Sequence, residues 1–239
     1  MATKHRRTSA SSTATPARKA ALELVRRSRE SHQFLSSFAP RVLESAQLES
    51  ADKAFARLLA QGALSLQVTL DALINEVLRT PCDIQHDVRD ALRISAYEII
   101  YLHKEDHAAV DQGVELVRSF APRATGVANY VLHRIVEAKE RFPEGDPETS
   151  LEAAARFYGF PQWLAAAIKK DIGTRNAIAL MARSLEPAPV TFLRMSFHPR
   201  TIRSRVCSKR AASNSARIAR LCQKCMERIL SSSWRIVAM

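Results

Sequence analysis

Between Leu92 and Lys139 the chain carries three amphipathic segments separated by short polar breaks. Ala91, Ser95 and Ile99 recur every four residues, as do Leu92, Ala96 and Ile100, then Val110 and Val114, then Val127, Val131 and Ile135. That spacing lays an apolar stripe along each segment, and a stripe that no segment can bury alone predicts a helical bundle. The flanking sequence supplies more walls. Pro16, with Thr15 as N-cap, opens a helix in which Ala17, Ala21, Leu24, Val25 and Ser28 share a face. A shorter apolar segment from Phe34 to Leu43 is interrupted by Pro40. From Asp52 to Leu78 the spacing of Phe55, Leu59, Leu66, Leu70, Leu73 and Val77 predicts the longest helix, and Gly62 within it marks a close helix crossing or a bend. Pro81 ends that run. Further helices follow from about Asp83 to Ile100, around Val110 up to Ala121-Pro122, and from about Thr125 to Glu140.

Residues 141–150, RFPEGDPETS, combine proline, glycine and acidic side chains and read as a linker. Thr149 with Glu152 three residues later fits a capping box. Short helices are expected to Tyr158, from Gln162 to Ile172 and from Thr174 to Leu185, with a break at Gly159-Phe160-Pro161. In PAPVTFLRMS, Val190, Phe192 and Met195 leave the helical stripe and allow a single strand. Beyond His198 the chain is basic and serine-rich, with one amphipathic helix expected around Ile218 to Leu230. The plan is all-α: a leader (1–15), a bundle (16–140), a linker (141–150), a helical connector (151–198) and a tail (199–239). There is no internal repeat.

Charge divides unevenly along this plan. The net charge is +12, but residues 1–30 carry eight Lys/Arg against two Glu and residues 199–239 carry ten against one, leaving the centre slightly acidic. Basic ends on a near-neutral body favour RNA, DNA or an anionic membrane as partner over a small acidic substrate. No window approaches a membrane span, and the leader lacks the apolar run of a secretory signal. A basic, acid-free leader is compatible with an organelle transit peptide, but an RNA-binding arm is the simpler reading. Four cysteines, Cys82, Cys207, Cys222 and Cys225, are too uneven for a disulfide framework and point to a reducing, cytoplasmic setting.

The ordered motifs YEIIY, AAVDQGVELVRSF and GVANYVLHRI resemble the core of the NusB fold, with Tyr97, Glu98, Val110, Val114, Glu115, Leu116, Asn129, Val131 and Leu132 at the family's positions. The resemblance covers roughly residues 17–140. Past it, FYGFPQWLAAAIKKDIG and EPAPVTFLR resemble the connector of RsmB/Sun-type ribosomal RNA cytosine-5 methyltransferases, through Pro161, Trp163, Leu164, Pro187, Pro189, Leu193 and Arg194. The resemblance implies the RNA-binding half of such an enzyme. Those enzymes use S-adenosylmethionine, held at a glycine-rich turn, and a cysteine nucleophile. The six glycines here are never closer than 13 residues apart, so no such turn can be built, and the resemblance stops soon after Arg194. A chain inactive alone is the expectation, with the tail after about Met195 a truncation, a frame shift or a genuine extension. The alternative is a transcription antitermination protein of NusB type, binding nascent RNA and a small-subunit ribosomal protein. A blander one is a protein-interaction bundle whose basic ends aid solubility.

Lys and Arg neutralise phosphates with little sequence information. The expected RNA contacts are therefore Arg18, Lys19, Arg26 and Arg27 on the first helix, Arg6 and Arg7 in the leader, and Arg123 at the entrance to the last bundle helix. The NusB resemblance, whose members use a basic N-terminal region on RNA, supports that choice. Asn129 and Trp163 read as structural, the latter as a packing anchor for the connector. Pro81-Cys82 imitates the dipeptide of the methyltransferases but lacks a preceding strand. Cys222 and Cys225 form half of a zinc pattern, and His103 and His107 straddle a break, so no metal site is expected.

Overall fold

The structure is a computed structural model, and it describes residues 13–78 and 84–186. Ten α-helices occur among the described residues: α1 (Pro16–Ser31), α2 (Leu35–Ser45), α3 (Ser50–Ser65), α4 (Gln67–Val77), α5 (His86–Ile100), α6 (Asp106–Arg118), α7 (Thr125–Lys139), α8 (Leu151–Tyr158), α9 (Gln162–Ile172) and α10 (Thr174–Ser184). A 3-10 turn, Pro122–Ala124, leads into α7. No described residue is in a strand. The expected strand at 187–196 and helix at 218–230, together with Pro81, Cys82, Arg6, Arg7, Cys207, Cys222 and Cys225, lie outside the described residues.

The centre of the bundle is α5. Its apolar stripes are present, but the helix is buried on every side: Val88 and all residues from Asp90 to Ile100 are buried. Helices α1, α3, α4, α6 and α7 all pack against it. A helix covered all round must also bury its polar positions, and Asp90, Arg93, Ser95 and Glu98 are buried with it. Each finds a partner, because an unpaired polar group there would cost the full desolvation penalty. The buried face of α7 is Ala128, Val131, Leu132 and Ile135. Val127, expected on that stripe, is instead exposed.

The single long helix expected from Asp52 to Leu78 is two. Gly62 is a close crossing and not a bend: a Cβ there would lie 2.1 Å from the Tyr97 ring. The chain turns four residues later, at Leu66 (φ −104°, ψ 16°), whose N–H still reaches the Gly62 carbonyl at 3.0 Å. Leu66 is fully buried, so an apolar pattern that runs through the corner hides it from the sequence. Pro40 does not interrupt α2, which passes through it at the loss of one backbone hydrogen bond.

The connector is seated on the bundle. Two bundle hydroxyls satisfy carbonyls in the last turn of α8, which have no intrahelical partner. Tyr101 Oη donates to the Phe157 carbonyl at 2.7 Å, and Thr69 Oγ1 donates to the Arg156 carbonyl at 2.5 Å. Phe142, from the segment read as a linker, packs with Tyr101 and Phe157. Burial and the neighbouring Tyr97 hydroxyl push the Tyr101 phenol far above its usual range, so it stays a donor. Gly159 (φ 81°) ends α8 against Ser65 and Leu66, where a side chain would meet backbone at 3.0 Å. The cap of α8 is Ser150, whose Oγ accepts from the Ala153 N–H at 3.4 Å. Thr149, expected in that role, donates to Asp146 instead.

Candidate nucleic-acid interface

Helix α1 carries most of the expected contacts, and its charges sort into two sets. Arg18 faces inward. Its Nε donates to Glu98 Oε1 at 2.8 Å and its Nη2 to Glu98 Oε2 at 2.6 Å, with Glu98 almost fully buried. Its Nη1 donates to Thr15 Oγ1, which therefore bonds this guanidinium and caps no backbone N–H. The Phe55 ring lies 5.5 Å away. Arg18 is thus a bidentate strut between α1 and α5, and not the RNA contact that its place on a basic helix suggests. At the other end of α1, Arg29 binds Asp87 at 2.5 Å and the buried Asp90 at 2.9 Å. Asp90 also accepts from Arg93 at 2.7 Å, and Arg93 binds Asp71 of α4 at 2.7 Å. Sequence reading missed this network. Its signal was the pair Asp90 and Arg93, charged residues one turn apart in a segment whose other positions are mostly apolar.

The second set faces solvent. Lys19, Arg26 and Arg27 are exposed on α1, interleaved with Glu23 and Glu30. Arg26 binds Glu30 at 3.0 Å and Arg27 binds Glu23 at 2.7 Å. The hydrogen bond to Glu30, then the charge of Asp87, raise the Arg26 pKa above its ordinary value. Once Arg18 and Arg29 are set aside, this face holds three cations and two anions. A phosphate arriving there must compete with the helix's own carboxylates, so the face gives contact geometry more than a strong field. Arg123 is exposed in the turn before α7, apart from α1 in the sequence.

Other assignments change with burial. Trp163, expected as a packing anchor, is 65% exposed; the connector core is Ala154, Ala155, Ala165 and Met181. Asn129 is exposed and therefore holds no packing position. His107 lies in the first turn of α6, while His103 sits in the loop before it. No group of three or more His, Cys, Asp or Glu that could hold a metal occurs among the described residues. All six glycines fall in the described residues, and none joins a strand to a helix. No described helix is long and apolar enough to cross a membrane.

The NusB family matches residues 15–137. A Mycobacterium tuberculosis protein named "Putative methyltransferase Rv1407" is 30% identical over 165 residues, covering 66% of this chain and 36% of the relative. The ribosomal RNA small subunit methyltransferase B of Thermus thermophilus is 36% identical over 110 residues, covering 45% of this chain and 27% of the relative. The chain therefore spans about a third of the length of the curated relatives it matches. NusB of T. maritima, a solved structure, aligns with a TM-score of 0.44 at 21% identity, covering 55% of this chain and 99% of that one. From α1 into the last turn of α7, half of its length, the chain matches one family domain, and it belongs to the NusB family.

Proposed function

We propose that this chain is the RNA-holding part of an enzyme of the same kind as ribosomal RNA small subunit methyltransferase B, working in the cytoplasm on small-subunit ribosomal RNA. The observation that carries this reading is the reach of the match to the Mycobacterium relative. Covering 66% of this chain, more than residues 1–150 amount to, it runs past the NusB domain into the connector seated on Tyr101 and Thr69. A freestanding NusB domain would give no reason for that continuation. The described residues supply no cradle for S-adenosylmethionine, so methyl transfer is assigned to a region they do not form. Their task is to grip RNA and present it.

The grip is assigned to Lys19, Arg26 and Arg27 on the open face of α1, with Arg6 and Arg7 from the leader and Arg123 as further contacts. Filter binding of a small-subunit ribosomal RNA fragment across a salt series tests this. Each phosphate contact contributes a little under one unit to the slope of log affinity against log salt. Lys19→Ala/Arg26→Ala/Arg27→Ala is expected to lower the slope by about two units or more and weaken binding at low salt. An unchanged slope would remove α1 from the interface.

A further inference from the structure

One face of α7 is uncovered. Val127, Tyr130, Arg134 and Glu137 follow at three- and four-residue spacing, and all four are exposed, Tyr130 at 53%. Such spacing puts them on one side of the helix. Exposed Arg123 precedes the stripe and Arg141 follows it. Tyr130, Arg134 and Arg141 also line a cleft of about 330 Å³ that α4, Phe142 and Arg156 of α8 complete. Arg156 is the one connector residue in its lining.

Its charges are not equivalent. Arg156 is held by Glu76 at 2.5 Å and Glu144 at 2.6 Å. Arg134 is held by Glu137 at 2.6 Å, and its guanidinium lies 5.7 Å from the centre of the Tyr130 ring. Among the described residues no ion pair holds Arg141 or Arg123. An exposed ring braced by a guanidinium, with a free arginine at the cleft and another along the stripe, suits a stacked base and its phosphates. A protein helix would want a broader apolar strip than Val127 and Tyr130 offer.

We infer that this cleft is a second RNA subsite, taking one unpaired nucleotide whose base stacks on Tyr130 and whose phosphate meets Arg141. The inference rests on the RNA reading above and adds to it a surface separate from α1. Unpaired bases are the usual target of such platforms, because a base must leave its own stack to reach one.

The test is photo-crosslinking and binding of a short 4-thiouridine oligonucleotide to the full chain. The crosslink is expected on the tryptic segment 124–134, which contains Tyr130. Tyr130→Ala is expected to weaken binding about tenfold, while Tyr130→Phe, which keeps the ring, stays within roughly twofold. Arg141→Ala is expected to lower the salt slope by about one. Because Tyr130 is exposed, thermal unfolding of these variants should match the parent. Unchanged affinity in Tyr130→Ala with no crosslink on that segment, while substitution of Lys19, Arg26 and Arg27 still weakens binding, overturns the subsite and leaves the wider reading standing. No binding by the parent chain overturns both. A protein captured through Tyr130 with no oligonucleotide bound would assign the stripe to a different class of partner and also overturn the subsite.

Discussion

Asp90→Ala is expected to destabilise the protein by about 3–5 kcal/mol, the range for removing one partner of a buried ion pair. Asp90 is fully buried and accepts from both Arg29 and Arg93. Its loss leaves two guanidiniums turned toward a carboxylate that is no longer there. Arg93 is itself almost buried and retains Asp71, but Arg29 would keep only the more exposed Asp87. The arrangement ties α1 and α4 to the central helix, so the damage should reach both. Urea unfolding of parent and variant measures it, and a shift below about 1 kcal/mol would show that the network is dispensable. Arg29→Met/Asp90→Leu/Arg93→Met, which removes the buried carboxylate and both guanidiniums that meet it while leaving the more exposed Asp71 and Asp87 to their other arginines, should recover much of the loss, because buried ion networks often trade evenly against apolar packing.

Gly62→Ala is expected to cost about 1–3 kcal/mol, against the ordinary rule that alanine in a helix interior gains about 1 kcal/mol over glycine. The new Cβ would lie within 2.4 Å of three atoms of the Tyr97 ring, and that ring is packed under α3 and beside Tyr101. A rigid ring in a filled core cannot yield by a small rotation. Gly126→Ala provides the control: its Cβ would meet nothing within 4 Å, and it lies in the first turn of α7. There the ordinary rule should hold and stability should rise. Thermal or urea unfolding of the two variants should thus move in opposite directions. A rise in both would mean that α3 does not cross α5 at Gly62. Tyr97→Leu combined with Gly62→Ala should restore part of the loss if the ring is the obstacle.

The fold was largely legible because helix periodicity survives in the sequence wherever one face is buried. It failed where that condition fails. Helix α5 is buried all round, so its stripes were visible but its role as the axis was not, and Glu98 looked like a motif position when it is the anchor of Arg18. The corner at Leu66 is apolar on both sides and left no polar break to read. Val127 had the spacing of a core residue but not the burial, since α7 is covered on one side only. The interface was less legible for a related reason. A run of arginines on a helix does not show which of them a distant carboxylate will claim, and Glu98 and Asp90 claim Arg18 and Arg29 from 80 and 61 residues away. The cleft at Tyr130 depends on how residues of α4, α7 and α8 far apart in the sequence come together, which no local pattern records.

On the proposed function, this NusB-family chain holds small-subunit ribosomal RNA. Equilibrium competition tests it most directly: a labelled small-subunit ribosomal RNA fragment bound to the chain is challenged with unlabelled small-subunit RNA, large-subunit RNA and duplex DNA at fixed salt. Small-subunit RNA is predicted to displace the label at concentrations at least about tenfold below the other two, a margin above the sequence-blind phosphate contribution they share. Equal displacement by all three would contradict it.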